Sequence, residues 1–520
     1  MKLSILLLLG VVAHCHGYHI ITMFPMPSHS HNQLSKGIVD ALLQGGHTVT
    51  WVTPFPGKAD KNNPKLKLID ISSVLSHVSN IDMTDQSHNN AGISFIKEFA
   101  ANMTLEMLNT PAVKEALIKG NFDAVVTENF FCDFLAGIPA VLQVPWIQLA
   151  ATQLHPDIEA QIDEVRSVPT IPLMFNPSGV PMTFASRAIN AMIFSMMTMY
   201  RWTGRAATIK QYEDIFTPIA AARGVSLPPF DDAFHNVSIT FVNSHESLTP
   251  AFTTPPNVIS IAGYHMDENI PPLPKDLQEL LDGSPKGVIY FSMGSVLRSS
   301  ALKPHTRAAL LKLFASLPYT VLWKFEEPLK DLPPNVHVRP WMPQPSILAH
   351  PNVKVFITHG GQLSSLEAVR AGVPLLAVPV FGDQPANAER ARRSGYALKV
   401  DFSPDMVPEL EVALKEILNN DQYSKRVKYL SKVFTNRPTT PKKLINHYVE
   451  LAIETKGALH LRSTSLQYRW YERWMLDVVL VLLVTLASIL ALLVFAAKKV
   501  INKVTGKKVY TEKSSKKKRN

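Results

Sequence analysis

At 520 residues, 46% hydrophobic and 18% charged, with mean hydropathy near zero (+0.06), the chain has a globular composition and is too long for a single core. Its net charge of +10 suggests a polyanionic partner, but ten basic residues against the lone acid Glu512 lie in residues 498–520. The remainder sums to about +1, which excludes nucleic acid as a partner. Two cysteines, Cys15 and Cys132, exclude a disulfide scaffold, and Cys132 reads as a small buried hydrophobe.

In chain order, Met1-Lys2 precedes an apolar run from Leu3 to Ala13, and small residues mark a cleavage point near Gly17. Residues 1–17 are therefore expected to be a signal peptide, since the run is too short to span a bilayer, which takes about 20 residues. The body then alternates short β-branched runs with longer amphipathic ones. Tyr18–Phe24 predicts a strand, and Asn32–Gln44 a helix with Leu34, Ile38, Ala41 and Leu42 on one face, stopped by Gly45-Gly46. Further strands are expected at His47–Thr53, Phe122–Thr127, Val141–Leu149 and Ser238–Val242. Asn102 and Asn236 open glycosylation sequons. Residues 182–202 hold five methionines and suit an apolar acceptor wall or lid, or a surface touching a membrane; an ordinary buried helix would have the same composition.

The proline-rich Ile270–Pro274 separates this half from a second in which the alternation restarts. Strands are predicted at Gly287–Phe291, Tyr319–Lys324, Val336–Arg339, Val353–Thr358 and Pro374–Pro379, with helices at Gln362–Ala371 and about Leu444–Lys456. The pattern implies an α/β protein of two doubly wound, Rossmann-like domains facing a cleft, with ligands outside the carboxyl ends of the strands. The expected division is 18–270, a linker at 271–286, 287–460, a juxtamembrane stretch at 461–477 and a transmembrane helix at 478–497. That last run has no charge, follows Trp470, Tyr471 and Trp474, and gives a helix of roughly 30 Å, the thickness of a bilayer core. Because positive residues stay cytosolic, the tail 498–520 is expected inside and the body lumenal. The ending Lys517-Lys518-Arg519-Asn520 is similar to a dilysine retrieval signal of the endoplasmic reticulum. One span per chain is compatible with a homo-oligomer.

The densest chemistry runs from Trp341 to Gln384. A strand ends at Thr358, His359-Gly360-Gly361 makes a tight turn, and a helix begins. Glycines let backbone approach a ligand, and a helix N-terminus presents free N–H groups to an anion such as a diphosphate. His359 can donate to the same phosphates, Glu367 can accept from two ribose hydroxyls, and Asp383-Gln384 offers polar ends to sugar hydroxyls.

This run resembles the signature of the animal UDP-glycosyltransferase family, from the Trp-x-Pro-Gln opening through the His-Gly-Gly turn to the Asp-Gln close, and the similarity extends over nearly the whole chain. The resemblance implies a GT-B fold, with an acceptor on the N-terminal domain and a UDP-sugar on the C-terminal one. It further implies that Trp341 stacks on uracil, Gln344 bonds to it, His359, Gly360 and Gly361 hold the diphosphate, and Glu367 the ribose. Asp383 and Gln384 then hold the sugar, and Ser292 and Ser295 reach the phosphates. The family's base is a histidine at the start of the first helix, sixteen positions before the His of a Gly-His pair. Here the pair is Gly46-His47, which selects His31 over His29. Its carboxylate partner is an Asp six positions after the Phe of a Phe-Asp pair. In this chain Glu128 stands there, with Asp133 as the rival. The absence of an Asp-x-Asp motif argues for no metal, and the UDP-sugar is a co-substrate rather than a cofactor. The turn sequence His359-Gly360-Gly361-Gln362-Leu363-Ser364 is similar to that of arthropod members, which favours UDP-glucose over UDP-glucuronate as donor. The implied reaction is inverting transfer of that hexose to a hydroxyl of a small lipophilic acceptor, as in conjugation of xenobiotics, pigments or hormones. Two rival readings are a non-catalytic, membrane-anchored binding protein of the same fold and an enzyme elongating lipid-linked or polymeric sugars. The histidine–carboxylate pair speaks against the first. Neither several spans nor a basic acceptor groove is present to favour the second.

Overall fold

The computed structural model describes residues 17–60, 62–77, 92–162, 167–174, 176–295 and 297–506. Residues 1–16 of the expected signal peptide, with Cys15, and the end of the basic tail with its lysines fall outside the described residues. Seven parallel strands form the first sheet: β1 (His19–Met23), β2 (Thr48–Thr53), β3 (Leu66–Asp70), β4 (Ala124–Glu128), β5 (Trp146–Ala150), β6 (Val237–Val242) and β7 (Val258–Ser260). Their order is β3-β2-β1-β4-β5-β6-β7. Six more form the second: β8 (Val288–Ser292), β9 (Thr320–Lys324), β10 (Val336–Arg339), β11 (Val353–Thr358), β12 (Leu375–Ala377) and β13 (Ala397–Lys399). Their order is β10-β9-β8-β11-β12-β13. Strands β4, β5, β6 and β8 are buried at every residue, as parallel sheets covered by helices on both faces require.

In each sheet the order reverses once, between β1 and β4 and between β8 and β11, and an open α/β sheet leaves a crevice at such a point. Register aligns the ends there. Met23 lies opposite Thr127, and Thr358 opposite Ser292, so the loops leaving the paired strands emerge together.

Five helices matter for the site: α1 (His29–Gln44), α2 (Phe184–Arg223), α3 (Gln362–Ala371), α4 (Gln384–Arg393) and α5 (Pro441–Glu454). The predicted face of α1 is buried, with Leu34, Ile38, Ala41 and Leu42 packed on Ile20, Trp51 and Ala124 of the first sheet. Helix α5 joins the same core through Ile445, Val449 and Ala452, and Asn446 Nδ2 donates to Ala41 O at 2.9 Å. Sequence order puts 441–454 in the stretch 287–460, yet its apolar stripe is covered by the first sheet's layer.

Two other expectations are corrected. The strand expected from Val141 begins at Trp146, because Val141 and Leu142 close a helical turn, Gly137–Leu142, ended by Gln143 in the left-handed region (φ 56°). The first helix starts at His29 rather than Asn32, with Ser28 as its N-cap. Strands β3, β7 and β13 were not foreseen; they lie at or near sheet edges and are too short or too exposed to show a clear pattern.

Beyond Ser463 the chain forms a separate unit. It contains a helix at Leu476–Val504, longer at both ends than the expected 478–497 and long and apolar enough to cross a membrane.

Candidate active site

The Oγ of Ser28 accepts from His31 N at 3.3 Å, which fixes the first turn of α1 just beyond the end of β1. That turn holds His31 level with Glu128, the last residue of β4. His31 Nδ1 is hydrogen-bonded to Glu128 Oε1; an ionised carboxylate can only accept, so the proton sits on Nδ1 and the neutral ring has its lone pair on Nε2. The Glu128 side chain has no exposure, whereas His31 keeps 20%. Burial by itself would push the imidazole down. The charge and hydrogen bond of Glu128, with Asp383 behind them, outweigh it and hold His31 above its ordinary value.

Asp133 does not take part. It opens a turn at Asp133–Ala136, and burial beside Asp157 raises its carboxyl to about 6, against Lys97, Arg201 and Arg205. Between the two carboxylates, geometry selects Glu128. His29 faces elsewhere, its ring 4.7 Å from Phe55 and edge-on to Trp341 at 6.2 Å.

On the second sheet, the turn after β11 carries His359, Gly360 at φ 79° and Gly361 as the N-cap of α3. Gly361 puts no side chain over the free N–H groups of α3. A Cβ there would lie 2.5 Å from His359 Nε2, and one on Gly294 2.5 Å from His359 Cε1, so two glycines clear the space the imidazole fills. Burial, with Lys324 nearby, pushes His359 down to about 4, so near neutral pH it is an uncharged N–H donor. Ser292 Oγ accepts from Gly294 N at 3.2 Å and shapes the β8 loop, where half-buried Ser295 follows.

Glu367 and Gln344 meet directly, Gln344 Nε2 donating to Glu367 Oε2 at 2.8 Å and to Ser364 Oγ at 3.1 Å. Asp383 caps α4, accepts from Asn387 Nδ2 at 2.6 Å and is raised by burial despite that bond, Arg390 and His31. Gln384 Oε1 accepts from the amides of Val380 and Phe381, which leaves its NH₂ for a ligand. Trp341 is 58% exposed, its faces open for stacking.

Several site residues escaped the sequence reading. Tyr290, in the middle of β8, donates to Gln344 Oε1 at 3.3 Å, and its strand position gave no signal. Lys324, only 8% exposed and paired with Glu326 at 2.8 Å, places a buried cation near His359; a lysine ending a strand of buried residues was the available clue. A cavity of about 620 Å³ is lined by Leu154 and Val242 from the first half and Arg390 and Arg393 from the second, and by no predicted site residue. The sequon residue Asn102 is exposed on a helix whose Thr104 is buried, and exposed Asn236 accepts from Arg462 at 2.8 Å. Burial lifts the Cys132 thiol to about 12, in keeping with an inert core residue.

A sequence model of the family described as "UDP-glucoronosyl and UDP-glucosyl transferase" matches residues 20–513. The chain belongs to the UDP-glycosyltransferase family. This glycosyltransferase is similar to UDP-glucosyltransferase 2 of Dactylopius coccus, with 31% identity over 96% of this chain and 97% of that protein. UDP-glycosyltransferase UGT5 of the same insect is 29% identical over 95% and 94%. Among solved structures, Arabidopsis thaliana UGT89C1 complexed with quercetin has a TM-score of 0.57 and 17% identity, covering 84% of this chain and all of that one, a likeness of fold. The UDP-glycosyltransferase thus has the GT-B fold, two Rossmann-like domains facing a cleft, and transfers a sugar from a UDP-sugar to a small acceptor.

Proposed function

We propose that the enzyme transfers glucose from UDP-glucose to a hydroxyl of a small lipophilic acceptor with inversion, using His31 as general base. The observation that carries this reading is His31 Nδ1 held by buried Glu128, with Nε2 making no hydrogen bond among the described residues. Nε2 takes the acceptor proton as the acceptor oxygen bonds to the anomeric carbon; the bond from that carbon to the UDP oxygen breaks, and its electron pair leaves on the diphosphate. Attack opposite the leaving group turns an α-linked donor into a β-glycoside. Charge developing on UDP is met by the free amides of α3 and the His359 N–H. Trp341 and Gln344 bind uracil, Glu367 the ribose, Asp383 and Gln384 the sugar, and the loop of Ser292 and Ser295 borders the phosphates.

A lipophilic acceptor is supported by the wall beside the base. Phe130 stands edge-on to His31 at 5.1 Å and packs on the cluster of Phe131, Met174 and Met197, the last from the methionine-rich start of α2. Glucose is favoured by the sequence His359-Gly360-Gly361-Gln362-Leu363-Ser364 and by the name of the glucosyltransferase relative. The leader-like start, the apolar helix and the basic tail support a single-pass protein of the endoplasmic reticulum with its body lumenal.

The test is UDP release from membranes carrying the chain, given UDP-glucose or UDP-glucuronate with phenols and hydroxylated lipids. Acceptor-dependent release that disappears in His31→Ala supports the base, and the product's anomeric coupling reports inversion. UDP-sugar binding with no release from any pair would favour the binding-protein reading instead.

A further inference from the structure

The segment after β7 joins the two sheets. Tyr264 enters the core of the first sheet and Met266 that of the second, so His265 is fixed relative to both. A Cβ on Gly37 of α1 would lie 2.9 Å from the Tyr264 ring and from His265 Cα, which shows how closely the base-bearing helix rests on this dipeptide. On its other side the segment holds α3. Arg370 Nη2 donates to Asp267 O at 2.6 Å and to Glu268 O at 3.1 Å.

One turn earlier on α3, Glu367 Oε1 lies 3.7 Å from His265 Nε2, with the two side chains 5% and 2% exposed. Both ring nitrogens of His265 lack a hydrogen bond among the described residues. The separation exceeds a hydrogen bond, and a movement of about 1 Å closes it, the kind of tightening that ligand binding brings. Glu367 Oε2 is already held by Gln344.

We propose that His265 is a positioning residue for the donor nucleotide, orienting the Glu367 carboxylate so that its remaining lone pairs face the ribose hydroxyls. This rests on the reading of Glu367 as the ribose ligand. With Gln344 already on one oxygen and His265 closing on the other as the nucleotide binds, the carboxylate is held facing the ribose, and the added hydrogen bond to a charged group raises affinity.

The full chain in detergent is titrated calorimetrically with UDP and with 2′,3′-dideoxy-UDP, which lacks the hydroxyls. Wild type should prefer UDP, and Glu367→Ala should abolish the preference; a preference that survives Glu367→Ala removes the ribose reading and this proposal with it. His265→Leu and His265→Asn should weaken UDP by about tenfold, the scale of one hydrogen bond to a charged group, and leave dideoxy-UDP unchanged. His265→Gln, whose amide nitrogen stands where Nε2 does, should stay within about threefold of wild type, whereas Asn reproduces only the Nδ1 position. Using both Leu and Asn covers the case in which one of them does not fold. If Glu367→Ala loses the preference while the His265 variants keep it, or weaken both ligands equally, His265 is a packing residue and the proposal falls.

Discussion

At the scale of single residues, the His31–Glu128 pair fixes how activity should depend on pH. A general base works only when neutral, and His31 is held above its ordinary value, so the acid limb of kcat/KM should lie above about 6.5. Glu128→Gln removes the charge responsible. It should move that limb to lower pH and reduce kcat by about 10²- to 10⁴-fold, measured as a pH–rate profile. The stability sign runs the other way. The raised folded pKa makes the ion pair stabilising below about 6.5, and that contribution is lost as pH rises through the folded value. The melting deficit of Glu128→Gln should accordingly shrink as pH rises above about 6.5. Asp133→Asn should leave turnover within about threefold of wild type, because Asp133 faces Asp157 and the Lys97–Arg201 cations. Spacing alone could not separate the two carboxylates. The outcome depends on where β4 stops, and strand ends are poorly encoded in a run of uniformly buried residues.

At the scale of elements, the His359-Gly360-Gly361 turn was legible because a strand, two glycines and a helix follow without interruption. Its second purpose was not. Clearing space for the His359 ring takes Gly294 as well, from a loop more than sixty residues away that only the alignment of β8 with β11 brings near. Gly361→Ala leaves the backbone relaxed at φ −62° but drives a methyl group into the ring. UDP should bind at least about tenfold more weakly to this variant by calorimetry, with a minor change in melting temperature. Gly294→Ala adds strain at φ 89° to the same clash and should lower both affinity and stability. Tyr290 was invisible for a related reason, since a strand residue shows its facing only once sheet register is known, and the clue at Lys324 did not say which loop it would face.

At the scale of the whole molecule, the two sheets were legible from their alternation, whereas the destination of α5 was not. An amphipathic helix announces a buried face but not what buries it. Ile445 and Val449 are fully buried in the first sheet's core although they follow the second in sequence. Ile445→Ala should destabilise by about 2–5 kcal/mol, read as a lower melting temperature with the His31 half exposed first to limited proteolysis. The same feature bears on recombination between relatives. A crossover at the proline-rich joint, meant to exchange donor halves cleanly, would bring a foreign α5 against a native α1 and ask two unrelated surfaces to fit, including the Asn446–Ala41 bond. Exchanging the donor half with its supporting contacts intact takes two junctions, one near residue 271 and a second ahead of Pro441, so that the last helix of the body is inherited with the first.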